Sequence, residues 1–312
     1  VFTIIDLTTM HPTRVPSYDG KIVSPFSNGS FLGVDFGEQS NIVYLSGGDN
    51  GAVLVYDIQQ MRRVDSISLN GKVGEILFED SFTSDLLYNA DKKELLVLDR
   101  ANYRMVRINT QTRQIEASVP CGRLPYGLSL SPDKKYAFVA NVGMYSYPLI
   151  EGMTEKNYDS MLIAHHPYGD NTQESINGTI IDGKKIPGVG SPSSPEAMSV
   201  FVIDMATNKV LSKLKTGHQV GELIEDIEVV GGASPNSIAV GKQFAYITNA
   251  TNDNISVIDY RTQKMVKHIP IKVNPLLDKY RGLLPFGISL SKDEKHLFVA
   301  LLGFNAVAVI DL

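Results

Sequence analysis

The chain has 312 residues, of which 43% are hydrophobic, and its formal charge at pH 7 is −5. This hydrophobic content is enough for a buried core, and the acidic balance argues against a broad nucleic-acid-binding surface, which needs clustered lysine and arginine. The single cysteine, Cys121, cannot form an intramolecular disulfide. No stretch of the sequence approaches the 18 or more apolar residues of a membrane-spanning helix.

Short apolar segments that end in an acidic or amide residue recur along the whole sequence. The six closing residues are Asp6, Asp57, Asn109, Asp204, Asp259 and Asp311. Their spacings are 51, 52, 95, 55 and 52 residues. A period near 50 residues made of short strands is typical of a β-propeller. The sequence therefore predicts an all-β protein, a β-propeller of four-stranded antiparallel blades.

The clearest repeat spans residues 235–271 and predicts four strands. We expect these strands at 235–240, 244–249, 254–259 and 264–269. The first three are almost continuously apolar, as strands buried on both faces should be. The fourth alternates apolar and polar residues, as a solvent-facing edge strand should. The same plan fits the segments 30–69, 81–119, 124–140 and 285–312.

The terminal repeats are incomplete, and this affects the expected number of blades. The first repeat lacks its two inner strands and the last lacks its fourth. We expect a single propeller domain, 1–312, from a seven-bladed ring of which six blades are represented; a closed five- or six-bladed ring is the alternative. Because both ends fall inside predicted strands, we expect this chain to be a fragment of a longer protein.

One blade is interrupted by an insertion at about residues 144–196, between its second and third strands. Asn141 precedes Asp204 by 63 residues, whereas Asn249 precedes Asp259 by 10. Loops longer than about 12–15 residues in a compact domain are usually functional or disordered. In an up-and-down blade this loop lies on the same face as the connections between blades. We therefore predict a binding site near the mouth of the central channel on this loop-rich face.

The candidate binding residues lie in these loops and in the insertion. They are Arg123, Tyr126, Tyr145, Tyr147, His165, His166, Asn236, Arg281 and Phe286. Arginine offers several hydrogen-bond donors and aromatic rings offer flat apolar faces, so together they could bind an anionic or aromatic ligand. Strand-ending asparagines such as Asn141 and Asn249 have a simpler explanation, because asparagine commonly satisfies turn backbones.

We predict no metal site, no cofactor and no catalytic residues. Adjacent histidines such as His165 and His166 point in different directions, and no partner lies at ligand spacing. The acidic run from Glu222 to Glu228 lacks the Asp-x-Asp-x-Asp-Gly pattern of calcium loops and is interpreted as a solvated face. The sequence contains no Gly-x-Ser-x-Gly elbow, no Walker-type phosphate loop and no Gly-x-Gly-x-x-Gly after a strand.

Two sets of motifs carry a family resemblance. The strand sequences 246–249 (Tyr-Ile-Thr-Asn) and 138–141 (Phe-Val-Ala-Asn), with the Pro-x-Gly-[Ile/Leu]-Ser-Leu-Ser starts, resemble the YVTN-type seven-bladed propellers over about 30–140 and 198–312. More narrowly, the segments 30–33, 46–50 and 231–236 look like bacterial propellers fused ahead of an alkaline-phosphatase-superfamily phosphoesterase domain. The resemblance implies an exported protein, in the periplasm, at the outer membrane or outside the cell. No motif of the phosphoesterase domain is present, so its activity is not carried over.

The first functional hypothesis is a non-catalytic scaffold, which would bind a protein partner or an envelope polymer through the loop-rich face. It rests on the lack of a recognisable catalytic constellation. The alternative is an enzyme or enzyme subunit, because propellers of related type include lactonases and quinone-dependent dehydrogenases. A third possibility is the propeller half of a phosphoesterase.

Overall fold

A computed structural model describes residues 3–5, 7–14, 32–154, 156–161, 172–274, 276 and 280–312. The chain divides into two compact units. Unit 1 comprises Val1–Cys121, Pro125–Ala140 and Phe201–Ser212. Unit 2 comprises Gly122–Leu124, Asn141–Val200 and Lys213–Leu312. In the described part of the chain, no helix is long and apolar enough to cross a membrane.

Unit 1 contains two four-stranded antiparallel sheets. The first is formed by β3 (Val34–Phe36), β4 (Ile42–Ser46), β5 (Ala52–Asp57) and β6 (Arg62–Ser68). The second is formed by β9 (Thr83–Asn89), β10 (Glu94–Asp99), β11 (Arg104–Asn109) and β12 (Ile115–Pro120). Two small hairpins accompany them, β1 (Thr3–Ile5) with β2 (Pro12–Arg14), and β7 (Gly71–Val73) with β8 (Ile76–Phe78).

Unit 2 contains one four-stranded and one three-stranded antiparallel sheet. The first is formed by β21 (Pro235–Val240), β22 (Phe244–Asn249), β23 (Asn254–Asp259) and β24 (Lys264–Pro270). The second is formed by β25 (Pro285–Leu290), β26 (His296–Leu301) and β27 (Ala306–Asp311). The hairpin of β19 (Leu223–Ile224) and β20 (Ile227–Glu228) precedes them, and a 3-10 helix at Ala250–Asn252 joins β22 to β23.

A further four-stranded sheet contains the insertion. Its order is β13 (Pro125–Leu130), β14 (Tyr136–Asn141), β17 (Ser199–Asp204) and β18 (Lys209–Lys215). Residues 142–198 leave this sheet after β14 and return at β17, as the sequence predicts. The insertion is more structured than a loop. It carries α1 (Tyr158–Met161), α2 (Gln173–Asn177), β15 (Gly178–Ile181) and β16 (Lys184–Pro187).

The cores lie between sheets inside each unit. Every residue of β10 and β5 is buried, because these middle strands have neighbours on both faces. The outer strand β6 is buried at only one of its seven positions. In unit 2, Tyr246, Ile255 and Leu297 belong to the main apolar cluster. The predicted contrast between inner and outer strands is confirmed.

The acidic or amide residue that closes the third strand has a local structural role in the four four-stranded sheets. Asp57 Oδ1 accepts hydrogen bonds from the backbone N–H groups of Gln59 at 2.9 Å and Gln60 at 3.0 Å. Asn109, Asp204 and Asp259 make the same pair of contacts to the residues two and three positions ahead. The recurring residue therefore stabilises the turn between the third and fourth strands. The all-β prediction with four-stranded antiparallel blades is confirmed, whereas the single-domain boundary 1–312 stays a prediction.

Candidate functional site

Arg123 anchors the base of the insertion. Its Nη1 donates to the carbonyls of Met144 at 2.6 Å and Ser191 at 2.8 Å. Its backbone N–H donates to the carbonyl of Glu196 at 2.9 Å. These contacts hold the start and the end of the insertion together. Arg123, which was predicted to bind a ligand, thus has a structural role.

Lys215 holds the same return segment from the end of β18. Its Nζ donates to the carbonyls of Pro192 at 2.9 Å, Ser194 at 3.2 Å and Ala197 at 2.5 Å. Burial, followed by repulsion from Arg123, lowers the pKa of Lys215 to about 8. Two basic side chains thus stabilise one stretch of backbone.

Asn236 and Phe286 contribute to contacts between strands of unit 2. The buried Asn236 donates from Nδ2 to the carbonyl of Pro285 at 3.2 Å. The hydroxyl of Thr248 lies 2.9 Å from Asn236 Oδ1 and 2.8 Å from the carbonyl of Phe286. Because buried polar groups need such partners, Asn236 joins β21, β22 and β25. Its role in ligand binding stays a prediction.

The predicted aromatic and histidine residues do not form a described cluster. Tyr126 belongs to unit 1, where the guanidinium of Arg100 lies 5.8 Å from its ring centroid. Burial, the largest contribution, raises the pKa of Tyr126. Tyr145 is half-buried, and Tyr147 is 65% exposed. The remaining pair, His165 and His166, lies outside the described residues.

Arg281 is part of an ion-pair cluster in unit 2. Glu225 forms ion pairs with both Arg281 and Lys272. Hydrogen bonds from Arg281, and then from Lys272, lower the pKa of Glu225 to about 2. Glu225 lies in the acidic run that the sequence suggested was a solvated face, and its side chain is both exposed and ion-paired.

A cavity of about 320 Å³ lies beside this cluster, wholly within unit 2. Ile224, Ile227, Val229 and Val230 give it mainly apolar walls. The polar residues of the lining are Glu228, Thr251, Asn252 and Arg281. Its volume falls at the lower end of the range for small-molecule sites.

Gly232 is required for the wall of this cavity. Its backbone has φ +64°, and a Cβ added there would lie 1.8 Å from the sulfur of Met198. Asn252 Nδ2 donates to the carbonyl of Gly232 at 3.0 Å and fixes the segment in place. The cavity is therefore built by specific backbone contacts.

Two histidines lie next to each other near the cavity. The ring centroids of His218 and His268 are 5.4 Å apart. His218 Nδ1 lies 3.4 Å from a carboxylate oxygen of Glu222. His268 Nδ1 lies 3.1 Å from the hydroxyl of the buried Ser256. The carboxylate of Glu222 thus contacts Nδ1 of His218, and the hydroxyl of Ser256 contacts Nδ1 of His268.

The contacts of Ser256 fix the tautomer of His268. Ser256 Oγ accepts hydrogen bonds from the backbone N–H of Gly217 at 2.9 Å and from Asn249 Nδ2 at 2.8 Å. Both hydroxyl lone pairs are then occupied, so the single hydroxyl proton is donated to His268 Nδ1. This arrangement favours neutral His268 with its proton on Nε2. Burial, with a smaller contribution from His218, also lowers the pKa of His268.

Asn252 connects the histidine pair to the cavity. Its Oδ1 accepts the backbone N–H of His218 at 2.7 Å, while the same side chain contributes to the cavity wall. Gly217, at φ +57°, is also necessary, because a Cβ there would lie 2.4 Å from Asn252 Oδ1. The backbone of Val229 in the cavity wall exchanges hydrogen bonds with Gly221 and Glu222.

The sequence interpretation missed this cluster, although two signals mark it. In two other sheets an apolar residue of the third strand lies opposite a serine of the fourth strand, as in Leu54–Ser66 and Val106–Ser118. At the equivalent positions here, the third strand has Ser256 and the fourth strand has His268. In addition, the tripeptide Val-Gly-Glu occurs at 73–75 and at 220–222, each time beside a small hairpin. Gly71 occupies the position that corresponds to His218, so only the second copy has a histidine before its glutamate.

No group of three or more metal-ligating side chains is arranged around a common point within the described ranges. The ring nitrogens of the histidine pair, with Glu222 and Ser256 as partners, can take part in acid–base chemistry.

Comparison with known proteins identifies the fold class. No protein-family model and no curated protein matches the chain. Among solved structures, virginiamycin B lyase from Staphylococcus aureus is similar with a TM-score of 0.51 and 13% identity, covering 91% of this chain and 70% of that one. A streptogramin B lyase structure is similar with a TM-score of 0.54 and 11% identity, covering 91% and 69% respectively. These neighbours are β-propellers, and the chain has the β-propeller fold.

The comparisons also correct the first functional hypothesis. The prediction of a non-catalytic scaffold is wrong, because the solved structures that share the fold are enzymes and therefore favour the enzyme alternative. The physical reason for the error lies in the features searched: linear catalytic motifs cannot reveal side chains that one loop and two strands bring together, as they do His218, Glu222, Ser256 and His268.

Proposed function

We propose that this β-propeller is an enzyme whose site lies in unit 2, with His218 as its general base. The observation that carries the proposal is the arrangement of His218, Glu222, His268 and Ser256 beside an apolar cavity. A histidine oriented by a carboxylate is a recurrent general base. The contact between His218 and Glu222, at 3.4 Å, is longer than an ideal hydrogen bond, and such catalytic contacts commonly tighten when substrate binds.

The two histidines have complementary roles in this proposal. A hydrogen bond from His218 Nδ1 to Glu222 leaves Nε2 of His218 with a lone pair that can accept a proton. His268 is neutral and presents an N–H donor at Nε2. Such a donor stabilises an oxygen on which negative charge develops. A base and a donor of this kind support proton abstraction from a carbon next to a carbonyl group.

The reaction class we favour is elimination, catalysed by a lyase. His218 Nε2 takes a proton from carbon, and the C–H electron pair becomes the second bond of a C=C group. The bond to the leaving group breaks with its electrons, and the imidazolium returns the proton to the leaving group. The two solved neighbours are lyases, which supports the class, and the roles of His218 and His268 rest on this chain alone.

Turnover of virginiamycin B, streptogramin B and a panel of lactones by the full chain tests this proposal. An elimination that opens a lactone gives an isomer of the substrate, whereas hydrolysis adds water, and mass spectrometry separates the two. His218→Ala should lower kcat by about 10²–10⁴-fold, the usual contribution of a general base. Glu222→Gln should lower kcat by about tenfold or more.

Glu75→Gln is the matched control for Glu222→Gln. Glu75 is the glutamate of the other Val-Gly-Glu tripeptide, and it pairs with Lys72 on the surface of unit 1. The control should keep the activity of the parent chain. Equal activity of His218→Ala and the parent chain would refute the proposal. A product heavier than the substrate by one water molecule would show that the reaction is hydrolysis and not elimination.

We further propose that the chain is related to the YVTN-type propellers and to those fused to phosphoesterase domains, and that it acts in the bacterial envelope or outside the cell. The supporting evidence is the strand sequence around Tyr246–Asn249 and the segment 231–236. A protein partner or envelope polymer at the loop-rich face stays a prediction. Fractionation of the source cells, followed by immunodetection, tests the location.

A further inference from the structure

We propose that the cavity beside β19 and β20 binds a neutral apolar compound that carries a carbonyl group, such as an aliphatic ester or amide. This inference rests on the proposed function, because it names the substrate class of the same site. It is argued from the walls of the cavity, from Arg281 and from the local charge.

The walls of the cavity are aliphatic and open to solvent. Ile227 is 60% exposed and Val230 is 74% exposed, although apolar side chains gain stability when they are buried. With Ile224 and Val229 they form a contiguous apolar lining. Clustered exposed apolar residues commonly mark ligand-binding grooves. The volume, 320 Å³, equals that of about ten water molecules in the liquid, which fits a short aliphatic chain.

Arg281 supplies the polar contact of the cavity. One of its nitrogens pairs with Glu225, and Nη1 donates to the carbonyl of Tyr280 at 3.4 Å. A guanidinium has five N–H groups, so further donors remain for a carbonyl oxygen. The pairing with Glu225 holds the guanidinium at the cavity wall, so that binding costs less side-chain entropy.

The charged groups of the cavity wall disfavour an ionised ligand. The wall contains one acidic and one basic side chain, Glu228 and Arg281, and Arg281 is already paired with Glu225. A carboxylate or an ammonium group would lose hydration there without a counter-charge of its own, so a neutral ester or amide should bind better than the corresponding acid or amine.

The other small hairpin supplies a matched control. Leu77 in β8 is 62% exposed, close to the exposure of Ile227, and it follows the first Val-Gly-Glu tripeptide. It belongs to unit 1 and does not line the cavity. Ile227→Asp and Leu77→Asp therefore introduce the same charge at similarly exposed positions, and only the first lies in the cavity wall.

Isothermal titration of the full chain with methyl hexanoate, hexanoate and hexylamine tests the proposal. The ester should bind saturably, and hexanoate should bind at least tenfold more weakly. Ile227→Asp should weaken ester binding tenfold or more, Arg281→Met should weaken it several-fold, and Leu77→Asp should leave it unchanged. Absence of saturable ester binding, equal or tighter binding of hexanoate or hexylamine, or equal effects of Ile227→Asp and Leu77→Asp would overturn it.

His218→Ala separates this inference from the proposed function. The variant should bind methyl hexanoate within a few-fold of the parent chain, because the apolar wall and Arg281, which carry the binding, are unchanged. If the variant also keeps full turnover, the proposed general base is wrong while the binding site stands. If the substitutions in the cavity wall do not change ester binding as expected, but turnover falls in His218→Ala, the proposed binding site is wrong and the proposed function stands.

Discussion

Ser256 Oγ lies 3.1 Å from Nδ1 of His268, and this contact sets the protonation state of the histidine. The hydroxyl already accepts two N–H donors, from Gly217 and Asn249. A protonated Nδ1 would place a third donor against an oxygen with no lone pair left. The hydroxyl and the burial of the ring therefore act in the same direction, toward neutral imidazole.

Ser256→Ala should raise the pKa of His268 toward its usual value of about 6.5, because the hydroxyl that favours the neutral ring is gone. It should also lower the free energy of unfolding by about 1–3 kcal/mol, since two buried donors lose their acceptor. NMR titration of the His268 ring measures the first effect and chemical denaturation the second. Ser66→Ala, at an exposed serine of the outer strand β6 in unit 1, should change neither quantity appreciably. An unchanged His268 pKa in Ser256→Ala would contradict the tautomer assignment.

Asp85 should make unit 1 lose stability as the pH rises from about 4 to 7. Burial, the largest contribution, raises the pKa of Asp85 to about 6, although its carboxylate accepts backbone hydrogen bonds from Leu128 and Leu86. Between the unfolded pKa of 3.8 and the folded pKa, the folded state binds more protons than the unfolded state. The free energy of unfolding therefore falls across this window, by up to about 3 kcal/mol.

The measurement is the free energy of unfolding at several pH values for the parent chain and for Asp85→Asn. The difference between the two should change progressively between pH 4 and 7 and be constant above about pH 7. Asp65→Asn, which removes a surface carboxylate, is the control. A pH-independent difference between Asp85→Asn and the parent chain would exclude a raised pKa.

Asp204→Ala and Asp259→Ala should each lower Tm by a few degrees and leave turnover unchanged. Each carboxylate accepts two backbone hydrogen bonds in the turn between the third and fourth strands. Hydrogen bonds lower the pKa of both carboxyls, from Thr207 first for Asp204 and from the side chain of Gln243 first for Asp259. The benefit is therefore lost as the pH falls through their lowered folded-state pKa values. Thermal melting with a parallel activity assay is the test, and reduced turnover at an unchanged Tm would show a catalytic role instead.

Arg123→Gln should expose the insertion to proteases. The side chain of Arg123 joins Met144 to Ser191 across the base of the insertion, and glutamine cannot reach both carbonyls with charged donors. Limited proteolysis followed by mass spectrometry should show faster cleavage within residues 142–198. Arg113→Gln, at a surface ion pair with Asp65, should give the cleavage rate of the parent chain. Cleavage of Arg123→Gln at that same rate would mean that other contacts hold the insertion.

The fold could be predicted from the sequence because its determinants are local. The apolar pattern of β5 and β10 and the capping by Asp57 lie within one repeat, and so they recur with its period. The cluster of His218 and His268 could not be predicted in this way, since 50 residues separate them and their contact depends on the register between β23 and β24.

The candidate residues illustrate a second limit. Arg123 and Asn236 were selected because they are polar residues next to loops, and both donate to backbone carbonyls. The sequence does not distinguish a polar side chain that satisfies the backbone from one that faces a ligand. Arg281 forms an ion pair and also lines the cavity. In the sequence, the aliphatic residues of the cavity wall are marked only by the nearby Val-Gly-Glu tripeptide, which occurs twice.

The capped turns also bear on the order in which the chain folds. Each outer hairpin, such as β5–β6 or β23–β24, is closed by a side chain that reaches only two or three residues along the chain. Short loops close within tens to hundreds of nanoseconds, and local contacts cost little chain entropy. Several hairpins can therefore form independently and early, and the slow steps are those that bring the innermost strands of separate sheets together.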